Sequence, residues 1–176
     1  MRNFICPLAL ALTLGSAGPL VAQARPHDHA SPYAGFTDRE IKALSAEEIV
    51  GLLNGDGLGM ALPAELNRYP GPRHLLELGA MLGLSPDQES EVQAVFDAMQ
   101  AQAQSLGQTI VELERDLDRS FVKGTITEAR LDELLEAIAL HRARLRATHL
   151  RAHLLVLPVL TESQREHYER ARGYAG

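Results

Sequence analysis

The sequence predicts an all-α protein organised around one long antiparallel helical hairpin with short flanking helices. Three observations predict it. Apolar and small residues recur at steps of three and four through residues 84–156 with one tight break. Capping boxes mark the helix starts. The chain of 176 residues is 45% hydrophobic but only 5% aromatic and has no Trp, which suits a bundle built on Leu and Ala better than a sheet.

Residues 1–24 read as a secretory signal. Arg2 supplies the positive start, Pro7 to Leu14 a short apolar core, and Ala22-Gln23-Ala24 a small-residue cleavage site. Gly15, Gly18 and Pro19 break the apolar run, so it is expected to direct export to the periplasm and not to span a membrane. With cleavage after Ala24 the sole cysteine, Cys6, leaves too. No disulfide, thiolate metal site or Cys nucleophile is then expected in the exported chain. Residues 25–36 carry two prolines and a glycine among polar residues and predict a flexible segment. Its His27 and His29 are a weak metal pair. Pro26 lacks the amide N–H that an amino-terminal copper or nickel site at His27 would use.

Residues 37–72 predict a short helical module ending in a Gly/Pro-rich linker. Thr37-Asp38-Arg39-Glu40 and Ser45-Ala46-Glu47-Glu48 both have capping-box form, opening one or two short helices that end near Asn54-Gly55. Gly55 to Gly59 has no preceding apolar strand and no following Gly-Lys-Ser/Thr, so it is not a phosphate loop. Met60 to Leu66 suggests one more turn, and Tyr69-Pro70-Gly71-Pro72 a break.

Residues 73–176 predict the hairpin domain. Arg73 to Leu82 reads as one short helix with Leu75, Leu78 and Leu82 on a side and Gly83 as its cap. The first arm starts at Ser85-Pro86-Asp87-Gln88 and carries a seam through Val92, Phe96, Met99, Ala103, Leu106, Ile110, Leu113 and Leu117. The turn is Lys123-Gly124-Thr125, with Thr125 and Glu128 expected to cap the second arm. A second seam runs through Leu131, Leu135, Ile138, Leu145, Ala152 and Val156 until Pro158 stops it. Two such arms on a short turn must lie antiparallel. Leu160-Thr161-Glu162-Ser163-Gln164 opens a last helix that is expected to pack across the open end of the hairpin.

The paired starts Leu84-Ser85-Pro86-Asp87-Gln88 and Leu160-Thr161-Glu162-Ser163-Gln164 resemble the LTxxQ motifs of the Spy/CpxP-like periplasmic proteins, over roughly Arg73 to Tyr174. Serine stands for threonine in the first copy and keeps the capping oxygen. The structural motif residues are thus Leu84, Ser85, Gln88, Leu160, Thr161 and Gln164. The resemblance implies a small all-helical, cradle-like protein, often a homodimer. It implies either ATP-independent binding of unfolded envelope proteins in a stress response, or periplasmic heavy-metal sensing or zinc binding.

Two candidate sites follow from the residues. The second arm concentrates Arg142, Arg144, Arg146 and Arg151 on a chain of net charge −6. With Met99 they form a basic, partly apolar surface suited to holding unfolded clients. This client-holding function is the leading expectation, and it requires no cofactor. The rival is a divalent transition-metal site on His149 and His153, which stand one helical turn apart as two zinc, copper or nickel ligands would. Folding the hairpin about Gly124-Thr125 sets His149 opposite Gln100 and His153 opposite Phe96, with Asp97 and Gln100 in reach. His141 lies two turns away, and His74 with Glu77 is a weaker pair. No nucleophile motif or phosphate loop is present, so an enzyme is not expected. The acidic balance argues against nucleic acid.

Overall fold

Helices begin where a side chain can replace the missing partners of a first turn. The computed structural model, which describes residues 31–174, follows that rule at its four longest helices, and its three shortest α-helices start without a side-chain cap. The chain divides into two units, Met1–Ala34 and Gly35–Gly176. Of the first, only residues 31–34 are described, in a turn where the Ala34 amide donates to the Ser31 carbonyl. The expected signal segment, His27 and His29 lie outside the described residues.

All seven α-helices among the described residues lie in the second unit, and no strand occurs among those residues. No helix among them is long and apolar enough to cross a membrane. Helix α1, Ala46–Asn54, starts in the Ser45 capping box and ends at Gly55. The Thr37 box opens no helix. Residues 37–44 form turns and bends, and Ile41 and Leu44 leave them to bury in the core. Helix α2, Leu62–Glu65, is a single turn. The expected helix from Arg73 to Leu82 is two, α3 (Pro72–Glu77) and α4 (Gly79–Leu82), broken at Leu78 with ψ 3°. The following Gly79 is a poor helix former, and the break still leaves Leu75, Leu78 and Leu82 on one apolar cluster.

Helix α5, Pro86–Val122, has 37 residues and is ~55 Å long. Helix α6, Glu128–Val156, has 29 and is ~44 Å long. They pack on each other along the hairpin. The cap of α6 is Thr127, whose hydroxyl accepts from Arg130 N at 3.2 Å, and not Thr125. The Thr125 amide is spent on closing the end of α5, donating to Ser120 O at 3.0 Å. The second seam also shifts. Leu134 is buried and Leu135 is 46% exposed, because Leu134 is the residue that falls in line with Ile138 and Leu145. Of the first seam, Val92, Met99, Ala103 and Ile110 are buried, whereas Phe96, Leu106, Leu113 and Leu117 are half-buried, and past Ile110 the buried face passes to Val111 and Glu114.

Pro158 ends α6 in a 3-10 turn, Leu157–Val159. Helix α7, Glu162–Arg172, starts in the Thr161 box. The two motif glutamines meet there. Gln88 and Gln164 bond each other through their side-chain amides at 3.0 Å, Gln88 also donates to Val159 O at 2.7 Å, and Gln164 to Gly83 O at 3.2 Å. Each motif therefore caps its own helix and ties it to the other.

Two apolar clusters result. One joins Ile41, Leu44 and Leu52 to Ala103, Ile110, Val111 and Leu145. The other joins Leu75, Leu82, Val92, Val156, Leu160 and Tyr168. At the first, α1 lies so close on α5 that a Cβ at Gly107 would stand 1.9 Å from Leu52 O. That contact fixes where the loop after α1 crosses the hairpin.

Candidate functional site

The seam of α6 changes character after Leu145. Thr148, His149, Ala152 and His153 continue the buried face, so two imidazoles enter the interior one turn apart. A cleft of ≈ 260 Å³ opens over them. Its walls are the loop Gly55–Gly59, Glu65 of α2, the start of α3 at Gly71–His74, Met99 of α5, and Arg172 and Tyr174 at the end of α7.

His153 has a fixed proton. Its Nδ1 lies 2.7 Å from the Tyr69 carbonyl oxygen. A carbonyl can only accept, so Nδ1 carries the hydrogen, and the neutral ring keeps its lone pair on Nε2. A carbonyl holding one imidazole nitrogen is the arrangement that orients a metal-ligating histidine through its other nitrogen. Gly71 makes room for that edge. A Cβ there would meet His153 Cε1 at 2.9 Å and Nε2 at 3.2 Å, and Glu65 Oε2 at 3.3 Å.

His149 is 4% exposed, and its Nε2 is buried with no hydrogen-bond partner. Burial, with His153 and Arg73 nearby, holds its pKa below the ordinary histidine value, against a smaller opposing pull from Asp56. The ring is thus kept neutral, the form in which it can ligate.

Glu65 is the buried carboxylate of the cleft, 7% exposed. Its Oε1 accepts a short bond from Tyr168 Oη and one from Tyr174 Oη at 3.2 Å. The same oxygen is 3.3 Å from His74 Nδ1 and 3.5 Å from Arg172 Nε. Its Oε2 stands 3.8 Å from His153 Nδ1. The buried Tyr168 hydroxyl, desolvated and bonded to Glu65, is raised far above the usual phenol range and stays protonated.

The structure gives the histidines different neighbours from those the hairpin register suggested. Gln100 Nε2 donates to Asn54 O while its Oε1 is buried without a hydrogen-bond partner, and Asp97 accepts from Gln93 at 2.7 Å. The neighbours of His149 and His153 come from residues 56–73 instead. His74 joins Glu65 and not Glu77, and His141 Nδ1 donates to Ala137 O on its own helix at 2.8 Å. Among the described residues, no group of three or more His, Cys, Asp and Glu side chains is already drawn together as a metal cluster.

Arg142, Arg144, Arg146 and Arg151 of α6 are all exposed. Arg142 pairs with the buried Glu114 at 2.8 Å, whereas Arg144, Arg146 and Arg151 make no ion pair among the described residues. Arg151 borders a second cleft of ≈ 380 Å³ with Ala94, Ala98, Met99 and Leu155. Met99, 9% exposed, lies in the packing between the two clefts.

Sequence reading missed Glu65, Tyr69, Gly71, Arg172 and Tyr174. One signal was present: a lone carboxylate in the apolar run Gly59-Met60-Ala61-Leu62-Pro63-Ala64-Glu65-Leu66. A family described as heavy-metal resistance matches residues 52–167, a span that includes Glu65 through His74 as well as the hairpin. No curated protein and no solved structure matches the chain.

Proposed function

Since the chain belongs to the heavy-metal resistance family, we propose that it binds a divalent transition-metal ion in this cleft, with His149 and His153 as protein ligands. One observation carries the reading. Two buried imidazoles face one cleft a turn apart, one with an unpartnered Nε2 and the other with Nδ1 held by a carbonyl so that Nε2 is free. Imidazole nitrogen suits zinc, copper and nickel. Glu65, whose Oε2 stands 3.8 Å from His153 Nδ1, supplies negative charge beside the pair. The role is to hold or sense the ion in the periplasm after export, without catalysis.

Calorimetric titration of the chain with zinc, copper and nickel tests this. His149→Ala/His153→Ala is expected to remove the binding. No uptake by the wild type, or uptake that survives the double substitution, would sink it.

A second reading has its own support. Leu154 and Leu155 are 57% and 59% exposed beside Arg151 and the second cleft. That basic, apolar strip fits a surface that holds unfolded envelope proteins, or that pairs two copies of the chain. Suppression of client aggregation at stoichiometric amounts, lost in Arg144→Glu/Arg151→Glu, supports the first. A doubled mass in sedimentation supports the second.

A further inference from the structure

The cleft already holds a cation of its own. Arg172 is the last residue of α7, and its Nε lies 3.5 Å from Glu65 Oε1. Gly173, with φ 72°, then turns the chain back in the left-handed region that favours glycine. This brings Tyr174 over the cleft, where its hydroxyl donates to the same Oε1 at 3.2 Å. Arg172 Nη2 donates to Tyr174 Oη at 3.2 Å, and its guanidinium lies 5.6 Å from the centre of the tyrosine ring. Both residues line the cleft beside His149 and His153. Tyr168 holds the carboxylate from the buried side of α7 and has no room to leave, at 1% exposed. Arg172 and Tyr174 are the movable pair, since the side chain of Arg172 is 32% and Tyr174 is 36% exposed.

We propose that the C-terminal turn Arg172-Gly173-Tyr174 is a gate on the cleft, in which the Arg172 guanidinium occupies the charge position at Glu65 that an entering metal ion must take over. The proposal rests on the metal reading of His149 and His153. One buried carboxylate cannot neutralise two cations at once. A divalent ion beside Glu65 and a guanidinium against the same carboxylate repel, and the more mobile one leaves. Tyr174, bonded to both Arg172 and Glu65, goes with it. Metal occupancy is thereby converted into exposure of the end of α7, while Tyr168 keeps Glu65 in place for the ion. Arg172 and Tyr174 are positioning residues that set the affinity and carry the signal; neither is a ligand.

Two readouts on the full chain test the gate. Backbone hydrogen exchange over residues 168–174 is measured with and without zinc chloride, and zinc affinity is measured by calorimetry. Zinc is expected to raise exchange in the wild type. Arg172→Gln is expected to show raised exchange without zinc and to bind zinc several-fold more tightly. Tyr174→Phe, which keeps the ring, is expected to move both quantities in the same direction by less. Unchanged exchange on zinc saturation, or an Arg172→Gln affinity equal to or weaker than wild type, overturns the gate. If that happens while His149→Ala/His153→Ala still abolishes binding, the metal reading stands alone. No uptake by either the wild type or Arg172→Gln overturns gate and metal reading together.

Discussion

Gly107→Ala tests how the cleft is built, because two simple arguments give opposite signs for it. Helix propensity alone favours Ala over Gly inside α5 by about 1 kcal/mol. The structure opposes this. The new Cβ would stand 1.9 Å from Leu52 O and 2.6 Å from Leu52 C, where ordinary contact begins at 3.4 Å. The obstacle is backbone and cannot rotate away, so α1 must retreat from α5 by more than an ångström. Overpacking of this kind typically costs 1–3 kcal/mol, and a backbone clash lies at the top of that range or above it. With the propensity gain subtracted, the net loss is about 2 kcal/mol. For a domain of this size that lowers Tm by roughly 4–8 °C. Urea and thermal unfolding followed by circular dichroism measure it, with Gly35→Ala, where nothing lies within 4 Å, as a neutral control. The loop Gly55–Gly59 follows α1 directly, so metal affinity is expected to fall as well. A variant as stable as the wild type, or more stable by the propensity term, would refute the placement of α1 on Gly107 and the cleft wall that depends on it.

Other expectations follow from single contacts. Thr127→Ala is expected to cost about 1 kcal/mol as the loss of an N-cap, and Thr125→Ala under about 0.5 kcal/mol. The reverse order in chemical denaturation would restore Thr125 as the cap of α6. His149 has a folded pKa below its unfolded value, so the unfolded chain takes up the proton more readily. Its contribution to stability is full above the ordinary histidine range and is lost as pH falls through it towards the depressed folded value. His149→Leu is expected to flatten that part of the stability–pH curve, and an unchanged slope counts against a buried neutral ring. A double-mutant cycle of Gln88→Ala and Gln164→Ala is expected to give a coupling of about 0.5–1.5 kcal/mol. Additive losses would mean that the two motifs cap their helices independently.

Sequence alone determined the parts of this protein that depend on near neighbours. The capping boxes at Ser45, Ser85 and Thr161 are present, and each is a bond between residues three apart. Pro158 stops α6, and the first seam buries at Val92, Met99, Ala103 and Ile110. Where local signals competed, they failed. Thr37 and Thr125 have cap chemistry, but Thr37 lies in a segment that turns to bury Ile41 and Leu44, and the residues around Thr125 close α5. Leu134 and Leu135 are equally apolar, and only packing against α5 decided which one turns inward. The cleft was legible by half. The spacing of His149 and His153 marked one wall, because both lie on one face of one helix. The other wall came from far along the chain: Tyr69 is 84 residues from His153, and Glu65 is 103 from Tyr168. Contacts over such separations are set by where α1 can lie on α5, and that is decided by the missing side chain of Gly107 and the volume of the residues around it. No local pattern encodes that fit, so the tertiary structure alone brought Glu65, Arg172 and Tyr174 to the histidines.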